Sequence, residues 1–235
     1  MSAVTRSAAR SGAAGRLGGG LLVAIGAVAG IVALVATDQI LPATSAHQAE
    51  IRAWLGARAA GLTALLLLTV QVAFGLVLSH PTNKSTWKLS KRLFPWHENV
   101  WLFVLVFLGA HIVSIVIDPY AGVGISGAFI PGLSSYRSAP VAVGTLALYG
   151  LLVTGLTARY TKLLPPGAWL TIHRVGIVVF VLGWMHGLLA GTDSMALIGL
   201  YTLLGCAVGG AAVYRYWVVR QGRPSFATSL PEGSS

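Results

Sequence analysis

Six apolar stretches divide the chain, and its charged residues concentrate in the connections between them and at the two ends. The stretches are Leu17 to Ala36, Gly56 to Ser79, Val100 to Ile117, Pro140 to Ala158, Ala168 to Leu189 and Met195 to Val219. Each is long enough for a helix to cross a hydrocarbon core, which takes roughly 20 residues. The pattern predicts an all-α fold, an integral membrane six-helix bundle over residues 17–219. The Ser/Ala/Gly-rich segment 1–16 and the Ser, Pro and Gly of segment 220–235 read as disordered cytoplasmic tails. No internal repeat and no soluble domain stand out.

Composition narrows the class further. Of 235 residues 55% are hydrophobic and 9% charged, with a mean hydropathy of +0.77, which excludes an ordinary soluble domain. The net charge of +10 could point to nucleic acid, but the basic residues do not form one patch. Twelve of the sixteen fall in alternate connections, in the tails or at the end of span six: Arg6, Arg10 and Arg16; Lys84, Lys88, Lys91 and Arg92; Arg159 and Lys162; Arg215, Arg220 and Arg223. The other connections hold Arg52 and Arg137 against Asp38, Glu50, Asp118 and Asp193. By the positive-inside rule both termini lie in the cytoplasm, so the expected partner is a lipid bilayer and not nucleic acid. The expected location is a cell membrane, the plasma membrane of a bacterium. Span one has a basic leader like that of a signal peptide, yet its run exceeds the usual ~7–15 residues, which favours an uncleaved helix. Cys206, the single cysteine, lies inside span six, so neither an intramolecular disulfide nor a cysteine-based cluster is available.

The histidines carry the candidate chemistry. His97 and His111 accompany span three, and His173 and His186 accompany span five. These two spans run parallel, so His97 and His173 share one level near the inner face and His111 and His186 share a deeper one. Fourteen residues separate the first pair and thirteen the second, a rise of roughly 21 and 19.5 Å. Fourteen residues make about 3.9 turns and return to one helix face, whereas thirteen make about 3.6, so span five needs tilt or local tightening. Gly176 and Gly183 lie between its histidines and permit either. A single histidine in a span is as readily a helix-to-helix hydrogen bonder as a ligand, but four at matched depth favour metal ligation. Zinc does not fit, because ligands some 20 Å apart cannot share a tetrahedral ion. Two haems, each with two axial imidazoles, do. His47 and His80 read as solvated residues.

Haem propionates at a membrane edge favour arginine, whose fork pairs bidentately. Arg174, after His173, and Arg58, at the start of span two, stand at the two levels, although both could instead reach lipid phosphates. Phe103, Phe107, Phe180 and Trp184 lie between the levels and read as core or lipid-facing packing. Trp87, Trp96, Trp101, Trp169 and Trp217 read as interfacial anchors.

Phe94-Pro95-Trp96-His97 through Ala110-His111, Ile172-His173-Arg174 through Met185-His186, and Ala57-Arg58-Ala59-Ala60 resemble the ferric reductase-like transmembrane family over roughly residues 50 to 190. That family includes ferric-chelate reductases, NADPH oxidases and the membrane subunit of bacterial methionine sulfoxide reductase systems. The resemblance implies two b-type haems, with His97 paired to His173 and His111 to His186, and Arg58 at a propionate. It also implies transmembrane electron transfer as part of an oxidoreductase. Full-length reductases of the family add a flavin and nicotinamide domain after the sixth helix, where this sequence has about sixteen residues, and Gly18-Gly19-Gly20 lies within a span. The expected electron donor is therefore a separate cytoplasmic flavoprotein or the quinone pool. The expected acceptor is ferric chelate, oxygen or a partner protein. The Gly- and Pro-rich connection from Asp118 to Ala139 is positioned to cover the outer haem. Two alternatives stay open: a single-haem subunit like that of the sulfoxide reductase system, and a haem-free scaffold or transporter.

Overall fold

The computed structural model describes residues 44–79 and 84–221, without the side chains of 49–50, 84–88 and 218–221. The first predicted span, both predicted tails, the termini whose orientation the charges suggest, and His80 lie outside the described residues. Among the described residues the secondary structure is entirely helical. The α-helices are α1 (Ala46–Glu50), α2 (Arg52–Leu78), α3 (Lys84–Ile117), α4 (Gly124–Phe129), α5 (Ser138–Arg159), α6 (Ala168–Arg174), α7 (Gly176–Ala190) and α8 (Ile198–Gln221), with a 3-10 turn at Thr161–Leu163 after α5.

Five helical stretches are long and apolar enough to cross a membrane: Ala46–Leu78, Leu89–Ile117, Ser138–Arg159, Ala168–Ala190 and Ile198–Trp217. They correspond to predicted spans two to six. Their outward faces carry apolar side chains, as a bilayer requires: Val113, Leu203 and Val213 are 61, 64 and 69% exposed. The chain thus reads as a multi-pass membrane protein.

Two boundaries differ from expectation for identifiable reasons. Helix α3 starts at Lys84, well before Val100, because hydropathy marks only the apolar part of a helix, and Lys, Leu and Arg propagate a polar turn equally well. Pro95 lies inside it. The proline ring removes one intrahelical donor, and the Asn99 side-chain amide donates to the Pro95 carbonyl at 2.7 Å one turn on. The fifth predicted span is two helices, α6 and α7, broken at Val175. There the Val175 N–H bonds back to the Ile172 carbonyl at 3.0 Å, three residues away instead of four. Such a turn winds each residue by about 120° instead of about 100°, so it carries thirteen residues toward four full turns, the direction in which His186 must rotate to share a face with His173.

The interior is built around α2, α3, α5 and α7. Val104 is 1% and Val179 2% exposed, and they sit midway between the histidines of their helices. Leu65, Leu68, Leu151 and Phe180 complete this buried layer. A Cβ on Gly150 would meet Val179 Cγ2 at 2.7 Å, so the glycine lets α5 and α7 approach closely. Of the four aromatics expected between the levels, Phe180 enters the buried core, and the Trp184 indole N–H donates to the Tyr201 carbonyl at 2.8 Å. Both roles are packing.

The connection between α3 and α5 is folded and tied down. Asp118 accepts from the Ala121 N–H at 2.8 Å, and Gly122, Gly124 and Gly132 turn the chain at φ of 62, 64 and 88°. Thr145 donates to the Ala128 carbonyl and Tyr149 to that of Phe129. Tyr136 and Arg137 reach the last carbonyls of α7: the Tyr136 hydroxyl donates to Ala190 at 3.0 Å and the Arg137 guanidinium to Leu189 at 2.8 Å. A helix C-terminus needs such donors, and here they fix the end of the helix that carries His186.

Candidate functional site

Helices α3 and α6–α7 bring the four histidines into two cross-helix pairs. At the lower level the rings of His97 and His173 lie 5.8 Å apart, centroid to centroid, with their planes at 88°. At the upper level, beside the folded connection, the rings of His111 and His186 lie 6.2 Å apart at 75°. Among the described residues no third His, Cys, Asp or Glu joins either pair to form a metal-binding cluster. Among the described residues, each pair therefore offers two imidazoles and no further donor of these types.

Three of the four rings are held by one repeated device. His111 Nδ1 is 2.7 Å from the Ala57 carbonyl, His97 Nδ1 3.1 Å from that of Gln71, and His186 Nδ1 2.8 Å from that of Pro140. A carbonyl only accepts, so each Nδ1 carries the proton and each Nε2 keeps its lone pair, the tautomer needed for ligation through Nε2. Four residues beyond each accepting carbonyl stands a glycine: Gly61, Gly75 and Gly144. A Cβ at Gly61 would lie 2.8 Å from His111 Nδ1, at Gly75 3.3 Å from His97 Cε1, and at Gly144 2.5 Å from His186 Nδ1. In an α-helix a carbonyl already accepts from the N–H four residues on; the missing side chain there lets an imidazole reach the second lone pair. On α2 the two devices are fourteen residues apart, as are His111 and His97 on the antiparallel α3.

A cavity of about 440 Å³ opens around the upper pair, with His111 and His186 in its wall. Trp54, Tyr136, Val123 and Ala128 also line it, so the connection after α3 does cover this level. The ring of Trp54 packs against Tyr120 at 5.9 Å and Tyr136 at 5.3 Å. Neither His97 nor His173 belongs to that wall.

No protein-family model, curated protein or solved structure matches this chain.

The candidate cations fall in different settings. Arg58 is in the wall of the upper cavity, as its position in span two suggests, but it forms an ion pair with Asp193, which shares that wall. Arg174 is exposed beside His173, at the end of α6. His47 is exposed. Sequence reasoning missed the carbonyl-and-glycine device, Trp54, Tyr136 and the Arg58 partner. The matched spacing of Gly61 and Gly75 with His111 and His97 was the one signal that could have found the device.

Proposed function

We propose that the chain is a membrane electron-transfer subunit that holds two b-type haems, His97 with His173 and His111 with His186, and conducts electrons between the faces of a bilayer. One observation carries this reading: two facing imidazole pairs at separate depths in a bundle of apolar helices, three of the four rings having Nδ1 engaged by a backbone carbonyl. The spacing fits the group. With a metal–nitrogen bond of about 2.0–2.1 Å and a ring nitrogen about 1.1 Å from its centroid, two imidazoles on one iron have centroids roughly 6 Å apart. Zinc, the competing metal, finds no further donors at either level among the described residues.

Haem, when bound, supplies reversible one-electron exchange between ferric and ferrous iron with potentials set by ligands, charge and burial. The protein's part is to present Nε2 from both sides, to fix ring orientation through the Ala57, Gln71 and Pro140 carbonyls, and to keep water out with the Val104 and Val179 layer. The cytoplasmic side of the proposed topology takes electrons from a separate flavoprotein docked on the basic connections, or from quinone. They leave beside the folded connection. In this reading the chain is the haem subunit of an oxidoreductase similar to the ferric reductase-like family. Arg58, within the same wall as His111, serves a propionate of the upper haem and Arg174 one of the lower.

The charge at the upper mouth sets a direction for potential. Asp193→Asn leaves Arg58 uncompensated and raises the midpoint potential of the upper haem, while Arg58→Gln lowers it. Each shift is small, because both groups are partly exposed and solvent screens their charge. Redox titration of each variant measures it.

A second reading, in which one haem is held, is favoured by a single observation: the cavity surrounds His111 and His186 only. Vesicles test the transmembrane function. Liposomes carrying the haem-loaded protein and a trapped ferricyanide pool should bleach when an impermeant reductant is added outside, and protein-free liposomes should not. Bleaching no faster than in the protein-free control counts against conduction across the bilayer.

A further inference from the structure

The four histidines are not equivalent. His173 Nδ1 is buried and has no hydrogen-bond partner among the described residues, whereas His97, His111 and His186 each have a carbonyl acceptor. The reason lies on α5. There, Pro140 and Gly144 serve His186. Thirteen or fourteen residues further along, where an equivalent device would serve His173, positions four beyond Val153 and Thr154 are Thr157 and Ala158, neither of them glycine. The nearest glycine on that helix, Gly155, is filled by the Trp101 indole, whose own N–H is buried and likewise without a partner among the described residues. His173 also sits on the seven-residue α6, two residues before the break at Val175, with the Trp169 ring 6.1 Å away as its aromatic neighbour.

A ligating imidazole ordinarily donates its second ring N–H. That bond fixes orientation and raises basicity, and its loss costs about 10–100-fold in metal affinity. Resting on the two-haem reading above, we infer that His173 is the replaceable ligand of the four, which makes the lower-level iron a binding site for a neutral diatomic ligand such as carbon monoxide. The exchange is a substitution at ferrous iron: the bond to His173 Nε2 breaks, a bond to the incoming carbon forms, and no electron is transferred. His97, held by the Gln71 carbonyl, stays as the opposite ligand. The upper level, with both rings tied, stays closed to the same ligand.

The test uses the full chain, purified with its haem, counted, reduced under argon and titrated with carbon monoxide. The expected result is a carbon monoxide complex on about half of the haem. In His186→Ala, which keeps only the lower haem, all of the remaining haem should react. Resonance Raman of the photolysed wild-type complex supplies a readout independent of that variant. The iron–histidine stretch should have the raised frequency of a hydrogen-bonded imidazole, as His97 requires. Two haems per chain with no carbon monoxide-sensitive fraction overturn this inference alone. So does reactivity that disappears in His186→Ala, or a stretch typical of an imidazole without a hydrogen bond. A protein that carries no haem overturns both this inference and the reading beneath it.

Discussion

On the proposed two-haem reading, replacing His111 or His186 with alanine should remove the upper haem and leave the lower one, so the haem content of the purified protein should fall from about two per chain to about one. His97→Ala or His173→Ala does the reverse. The expectation is this sharp because, among the described residues, no third His, Cys, Asp or Glu groups with either pair in a geometry that could hold a metal and replace a lost ring. The levels are also insulated from each other: Val104 and Val179 fill the space between them at 1 and 2% exposure. Loss of an upper ligand therefore leaves the packing around His97 intact. Haem-to-protein ratios for the four variants measure the effect, and loss of both haems from any single change would contradict two independent sites.

Gly144→Ala should be nearly as damaging without touching a ligand. Its new methyl would stand 2.5 Å from His186 Nδ1 and 2.7 Å from Cε1 and Cγ, closer than a real Cβ approaches any atom. The ring must swing away, which breaks its bond to the Pro140 carbonyl. Overpacking of this kind costs about 1–3 kcal/mol, and loss of the orienting bond a further 10–100-fold in cofactor affinity. Gly61→Ala, at 2.8 Å from His111 Nδ1, should act in the same direction. Gly75→Ala has 3.3 Å to His97 Cε1 and should cost far less, and Gly109→Ala, which meets nothing within 4 Å, should retain full haem. Haem retention during detergent washing ranks the series, and equal retention by Gly144→Ala and Gly109→Ala would contradict the role given to the carbonyl-and-glycine device.

Much of this arrangement was legible in the sequence, because its strongest signals are one-dimensional. Hydropathy marks predicted spans two to six within a few residues at most boundaries. The spacing of fourteen and thirteen places His97 level with His173 and His111 level with His186, and the rings do pair that way. What the spacing could not supply was azimuth, since the tightened turn at Val175 depends on how α6 meets α7. The polar start of α3 was hidden because apolar patterning says nothing about a helix outside the bilayer. The carbonyl acceptors were invisible for a different reason: any residue has a carbonyl, and Ala57, Gln71 and Pro140 share no side-chain chemistry. Only the glycine four residues on is a residue-level trace, and glycines are common in membrane helices. The Arg58–Asp193 pair joins α2 to the distant connection between α7 and α8, and neither residue's local sequence announces the other.

The most direct measurement is the pyridine haemochrome content of the detergent-purified chain against protein concentration, taken with the reduced-minus-oxidised spectrum. About two b-type haems per chain with a low-spin cytochrome b difference spectrum is the result expected of two bis-imidazole sites. Protein that inserts into membranes normally, is expressed with haem in ample supply and still carries none would contradict it.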